Sequence, residues 1–264
     1  MAVVTGLEMD FARRFGGVAR LYGELALTRF AGSHVCVVGI GGVGSWAAEA
    51  LARSAIGRIT LIDLDHVAES NTNRQIHALD GEFGKAKTQA MAERIRAINP
   101  ACVVNSVEEF VTAENVAELF TQGSYDCVLD AIDNVRAKAA LINHCHSLGI
   151  AIVTTGGAGG RRDPTRIQVA DLAHTQQDAL ASKLRARLRK EYGFTRDLKK
   201  KFGVECVYSA EPVIQPENDE PACAVDESTG PQGLNCAGYG SSVMVTATFG
   251  LVAAARVLER LTCG

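Results

Sequence analysis

The sequence predicts an α/β fold: a doubly wound, mostly parallel sheet with N-terminal helices and a C-terminal extension. Three observations carry this expectation. Short β-branched runs alternate with helical stretches from about residue 33 to 160. The first run, residues 35–38, opens directly into Gly39-Ile40-Gly41-Gly42-Val43-Gly44 and then a helix. The next run, residues 59–62, ends in Asp63-Leu64-Asp65.

Residues 7–30 read as one or two helices, with apolar Phe11, Phe15, Val18, Leu21, Leu25 and Leu27. Strand 35–38, helix 46–53 and strand 59–62 make a βαβ unit. A helix over 85–98 stops at Asn99-Pro100. Strand 102–107, helix 113–121 and strand 125–131 follow, the last ending in Ile132-Asp133-Asn134. Helix 137–148 and strand 150–155 lead into the run Gly156-Gly157-Ala158-Gly159-Gly160. Beyond 165 the alternation breaks. One more strand is expected at 167–169, a basic helix at 178–192, and a closing helix at about 242–261. Residues 203–236 are rich in Pro, Gly and acids, and are expected to be a long loop or crossover arm. Internal repeats and low-complexity tracts are absent from the sequence.

A chain of 264 residues with 47% hydrophobic and 22% charged residues can bury a sizeable core. Its net charge of -3 predicts neither a nucleic-acid nor a membrane partner from the overall balance. The eight cysteines include no CxxC pair, and several, such as Cys36, sit in apolar runs as small buried hydrophobes. With charged residues near the N-terminus in place of an apolar signal core, this predicts the reducing cytoplasm. Residues 236–255 carry no charge, but their glycines, serines and threonines predict a buried core or dimer helix, not a membrane span.

The glycine spacing Gly39-x-Gly41-x-x-Gly44, between strand and helix, is the Rossmann-like nucleotide fingerprint. Asp63 stands where an acid binds ribose hydroxyls. A nicotinamide or flavin dinucleotide would satisfy these features. The residues after Asp63 favour a triphosphate, because Arg74 and Lys87 supply the extra cations that it demands. Asp133, at another strand's C-terminal end, is an oxygen ligand suited to Mg²⁺. Solvated charges at Arg74 and Lys87, and a helix N-cap at Asp133, are the bland alternatives.

Five segments in order resemble the ubiquitin-activating-type adenylation superfamily: Gly39–Gly44, Asp63-Leu64-Asp65, Ser70-Asn71-Thr72-Asn73-Arg74-Gln75, Gly84-Lys85-Ala86-Lys87 and Asp133-Asn134. A narrower set resembles the branch that dehydrates threonylcarbamoyladenosine in tRNA. It comprises Arg14-Phe15-Gly16-Gly17, Leu21-Tyr22-Gly23, Asn73 to Leu79, Thr154 to Gly160, and Met244 to Gly250. The resemblance implies a single adenylation domain over 1–264, with a nucleotide-binding core at about 33–160. The basic helix, long loop and C-terminal helix make up about 165–264. It implies ATP and Mg²⁺ as cofactors, a homodimer, and activation of a carboxylate as an acyl-AMP.

Carried over residue by residue, Asp63 would hold the ribose with Asp65 beside it. Gly42 would be the close-approach glycine among Gly39, Gly41 and Gly44. Ser70, Asn71, Asn73, Arg74 and Lys87 would line the phosphates, and Asp133 would hold Mg²⁺ next to Asn134. Arg14 and Arg20 are both candidates for an arginine that the superfamily reaches across its dimer. The two zinc-binding CxxC pairs usual in sulfur-carrier activators are absent from this sequence, so no structural zinc is expected. Adenylation of the C-terminal glycine of a ubiquitin-like sulfur-carrier protein is the alternative activity. A non-catalytic nucleotide-sensing scaffold is a further one.

Residues 183–201 hold nine Lys or Arg against two acids. Such a patch is the footprint of a polyanion or simply a solvated helix face. The resemblance favours RNA at Lys183, Arg185, Arg187, Arg189 and Lys190. Cys236, in a glycine-rich stretch, is a candidate for sulfur relay or thioester chemistry with a sulfur-transfer protein partner, against a structural thiol.

Overall fold

The computed structural model describes residues 10–121, 123–215 and 239–262. Helices α1 (Phe11–Tyr22) and α2 (Glu24–Gly32) precede the sheet. Then come β1 (His34–Val38), α3 (Gly44–Arg53), β2 (Arg58–Ile62), α4 (Lys87–Ile98) and β3 (Val103–Val107). Helix α5 (Val116–Thr121), β4 (Cys127–Asp130), α6 (Val135–Leu148) and β5 (Ala151–Thr155) continue the alternation. Strand β6 (Ile167–Asp171), α7 (Ala179–Glu191), β7 (Glu205–Ser209) and α8 (Val243–Thr262) complete the order.

Among the described residues, seven strands run in the order β3-β2-β1-β4-β5-β7-β6. Every pair is parallel except β6 with β7. Strand order reverses between β1 and β4, so the connections leaving their C-terminal ends part to opposite faces and open a crevice. Strand β1 is buried along its whole length. Its alternate side chains feed two cores: Val35 and Val37 face Phe30, Leu51, Ile95 and Phe249, whereas Cys36 and Val38 face Leu141, Ile142, Leu184 and Leu188.

The long loop or crossover arm expected over 203–236 needs correction at its start, because β7 lies inside it and is inserted between β5 and β6, while 216–236 lie outside the described residues. Its Cys206, Val207 and Tyr208 are buried. The Pro, Gly and acid content of the surrounding residues masked this five-residue run. The charge-poor C-terminal stretch forms α8, packed against α3. A Cβ built on Gly250 would meet the Val43 carbonyl oxygen at 2.4 Å, so only glycine lets the two backbones approach this closely. Among the described residues, no helix is long and apolar enough to cross a membrane.

Candidate active site

A cleft of about 580 Å³ lies along the C-terminal ends of the central strands. Of the candidate site residues, Gly39, Gly41, Gly42, Asp63, Asp65, Arg74, Lys87, Asp133 and Asn134 line it. The glycine turn is built by close approach. A Cβ on Gly44 would stand 1.8 Å from the Gly39 carbonyl oxygen, so α3 seats directly on the turn. Gly42 lines the cleft, and a Cβ on it would meet Arg74 Cγ at 3.3 Å and Thr246 Cβ at 3.4 Å.

Asp63 closes β2 and braces the same turn. Its Oδ2 accepts the Ile40 N–H at 2.6 Å, and its Oδ1 accepts the Asp65 N–H at 2.8 Å. Burial raises its pKa, while the Lys87 charge and these two hydrogen bonds work against that rise. Lys87 is itself buried, and its Nζ pairs with Asp65 Oδ2 at 2.7 Å. The Asp65 side chain is 53% exposed, so the buried ammonium is held by a carboxylate open to solvent.

Arg74 is clamped from both sides. Its Nη1 donates to the Asn73 Oδ1 at 2.9 Å and to the Ser70 carbonyl. Its own carbonyl accepts the Trp46 indole N–H at 3.0 Å. Burial lowers its pKa. Ser70, Asn71 and Asn73 lie outside the cleft lining. Buried Asn71 caps its own turn by accepting the Ala68 N–H at 3.1 Å, and Asn73 donates to the Ser241 carbonyl at 2.9 Å. These residues shape the loop that presents Arg74.

Asn134, not Asp133, caps α6, accepting the Arg136 and Ala137 N–H groups. That leaves the half-buried Asp133 carboxylate in the cleft without a hydrogen-bond partner among the described residues. Beneath it, Lys138 and Asp130 form a fully buried ion pair at 2.9 Å. Lys138 also donates to the Ile132 carbonyl at 2.9 Å, and Thr154 donates to Asp130 Oδ2 at 2.6 Å. The loop carrying Asp133 is therefore anchored on a rigid polar base. Among the described residues no group of three or more His, Cys, Asp or Glu could hold a metal. A single free carboxylate fits Mg²⁺ that takes its other ligands from phosphates and water.

Sequence reasoning gave no role to several lining residues: Gln75, Phe110, Tyr239, Ser241 and Thr246. Gln75 is buried with its Oε1 unpartnered among the described residues. Its place next to Arg74 was the available signal. Tyr239 comes from the far end of the chain, and nothing local marks it; Thr246 stands within the Met244 to Gly250 segment of the narrower resemblance. The glycine run after β5 also lines the cleft. It is pinned by Asp178, whose Oδ2 accepts the Gly157 N–H at 3.0 Å and pairs with Arg161. Asp178 Oδ1 caps α7 through the Ala181 N–H.

The basic segment divides in two. Helix α7 buries Leu180, Leu184 and Leu188. Three of its cations are engaged: Arg185 with Thr175, Arg187 with Glu191 at 3.0 Å, and Arg189 with the Thr195 carbonyl and over the Phe202 ring. Lys183 and Lys190 are exposed, as are Arg196 and Lys199 to Lys201. Arg14 donates to the Ile98 carbonyl of its own chain at 2.6 Å. Cys236 lies outside the described residues.

A mostly parallel sheet with a glycine turn, an acid closing the second strand and two cations in one cleft at its edge defines a nucleotide-binding α/β protein. Comparison with known proteins narrows this class. The chain belongs to the ThiF family, whose model matches residues 15–263. It is 57% identical to the tRNA threonylcarbamoyladenosine dehydratase of Escherichia coli, over 94% of this chain and 93% of that one. The Haemophilus influenzae protein of the same name is 48% identical, covering 96% and 94%. The crystal structure of the E. coli protein in complex with ATP matches with a TM-score of 0.86 and 53% identity, covering 97% of each chain.

Proposed function

We propose that this chain catalyses the ATP-dependent dehydration of threonylcarbamoyladenosine in tRNA, closing the threonylcarbamoyl group into a ring through an acyl-adenylate. The observation that carries it is the convergence in one cleft of Arg74, the Lys87–Asp65 pair and Asp133, which has no partner among the described residues. End-to-end similarity to proteins named for this reaction supports the acceptor.

A carboxylate is a poor electrophile. Attack of its oxygen on the ATP α-phosphorus expels pyrophosphate and gives an acyl-AMP. The carbamoyl group of the same substrate then attacks the activated carbonyl and AMP departs, so the RNA loses one water. This chemistry needs charge neutralisation and in-line positioning more than a dedicated base. Asp63 and Asp65 would orient the ribose, Gly42 admit the phosphates, and Arg74 and Lys87 offset charge on the transferring and departing phosphates. Asp133 would hold Mg²⁺, which neutralises phosphate charge when bound. Lys183, Lys190 and the exposed cations of 196–201 would steer RNA, so binding should weaken steeply with salt.

The same proposal takes the chain as one adenylation domain, working in the cytoplasm as a homodimer with a sulfur-transfer protein as partner. Leu21 and Leu25, 77% and 82% exposed on α1 and α2, support a self-association face. Mass analysis of threonylcarbamoyl-tRNA incubated with the protein and ATP tests the activity. Loss of one water with AMP release is expected; unchanged RNA refutes the proposal. Asp133→Ala should abolish substrate-dependent ATP–pyrophosphate exchange, and exchange at the wild-type rate would remove Asp133 from its role.

A further inference from the structure

The cleft extends beyond the strands that would carry ATP. Its lining follows the sheet edge from the Glu109–Glu114 segment after β3, past Asp63 on β2, Gly39 on β1 and Asp133 on β4, to the glycine run after β5. Neighbouring strands lie about 4.8 Å apart, so these five ends span roughly 19 Å. Only two aromatic side chains line this space among the described residues, Phe110 and Tyr239. Phe110 follows β3 at one end. Tyr239 stands at the other, against the glycine run. A Cβ built on Gly160 would lie 3.5 Å from Tyr239 Cδ1, and one on Gly159 would lie 3.7 Å from Tyr239 Cβ.

Tyr239 is held there by its neighbours on both sides of the cleft. The Gly160 N–H donates to the Gly240 carbonyl at 2.7 Å, tying the segment to the glycine run. The Ser241 carbonyl accepts from Asn73 Nδ2 at 2.9 Å, tying it to the loop that presents Arg74. The Tyr239 side chain is half-buried and lines the cleft with the glycine run, Leu180, Ser241 and Thr246. An aromatic face on a cleft wall is what an unstacked nucleobase requires.

We infer that Tyr239 is the stacking platform for the adenine base of the RNA substrate, a specificity-determining residue at the β5 end of the cleft. The inference rests on the function proposed above, and the geometry is consistent with it. Five covalent bonds separate the purine ring from the carboxyl carbon of threonylcarbamoyladenosine, a reach of roughly 6 Å. The step from β5 to β4 is about 5 Å. A base on Tyr239 therefore delivers its carboxylate beside Asp133 and towards Arg74, where the α-phosphate would lie. The Phe110 end is left for the adenine of ATP.

The test is steady-state dehydration of an anticodon stem-loop RNA carrying threonylcarbamoyladenosine, with Tyr239→Leu, Tyr239→Gln and Tyr239→Phe. Loss of one stacked base should raise the RNA KM roughly 10–100-fold in the Leu and Gln variants. Their KM for ATP should stay within twofold of wild type, which also reports an intact fold. The Phe variant should match wild type for both substrates. An unchanged RNA KM in the Leu and Gln variants overturns the inference. So does an equal rise in ATP KM, which would mark collapse of the cleft. A Phe variant as impaired as Leu would assign the effect to the hydroxyl and overturn it as well. If wild type itself fails to dehydrate the RNA, the functional proposal fails and this inference falls with it.

Discussion

Buried His77 makes stability depend on pH in a defined window. The residue is 2% exposed, and neither ring nitrogen has a hydrogen-bond partner among the described residues. Burial pushes its pKa down from 6.5 to about 4, with the charges of Lys87 and Arg94 adding to the effect. Above pH 6.5 the ring is neutral in both the folded and the unfolded chain. Below it, the unfolded chain takes up a proton that the folded chain refuses. Stability present above pH 6.5 is therefore lost as pH falls towards about 4. Each full pH unit in that window costs about 1.4 kcal/mol, so the loss between pH 7.5 and 5.5 is about 1.4 kcal/mol. Urea unfolding at both pH values measures it. His77→Leu removes the titrating group and should flatten the pH dependence by that amount. It should also be no less stable than wild type at pH 7.5, because a buried ring without partners forfeits about 1–3 kcal/mol. Equal losses on acidification in wild type and variant would show that His77 is not the responsible group.

Two further perturbations probe the frame of the cleft. Lys138→Met strands the buried Asp130 carboxylate and should destabilise the protein by about 3–5 kcal/mol in urea, with most of the loss recovered in the double variant with Asp130→Leu. A single-variant effect below 1 kcal/mol would mean that solvent reaches the pair. Gly44→Ala forces a methyl group onto the Gly39 carbonyl, and calorimetry should show ATP binding at least about tenfold weaker as the turn opens. Wild-type affinity would show that α3 yields without moving the turn.

Much of the fold was legible because its signals are local. Strand β1 announces itself by a β-branched run buried on both faces, and β4 and α6 by the apolar run and helical stretch that continue the alternation. Strand β7 was not legible. Its five residues stand in a polar context, and their burial comes from partners 34 or more residues away in the chain. At the site, Asp63, Arg74, Lys87 and Asp133 could be proposed from type and spacing, since phosphate and metal chemistry demands those groups. Their division of labour with Asn71, Asn73 and Asn134 could not. A cap and a ligand are the same residue types, and only hydrogen-bond geometry separates them. The basic segment shows the same limit: charge counting cannot tell Arg185, tied to Thr175, from exposed Lys183.

By itself the sequence determined the parallel α/β architecture, the glycine turn and the chemical types gathered for a triphosphate. Periodicity, steric need at glycine and charge demand all act over a few residues. Tertiary structure alone decided that the turn, Arg74, the glycine run after β5 and Tyr239 share one cleft. It also decided that Lys87 is buried against Asp65 while Asp133 has no partner among the described residues. These relations join residues up to 200 positions apart. They arise from the packing of whole elements on the sheet, which no local pattern encodes.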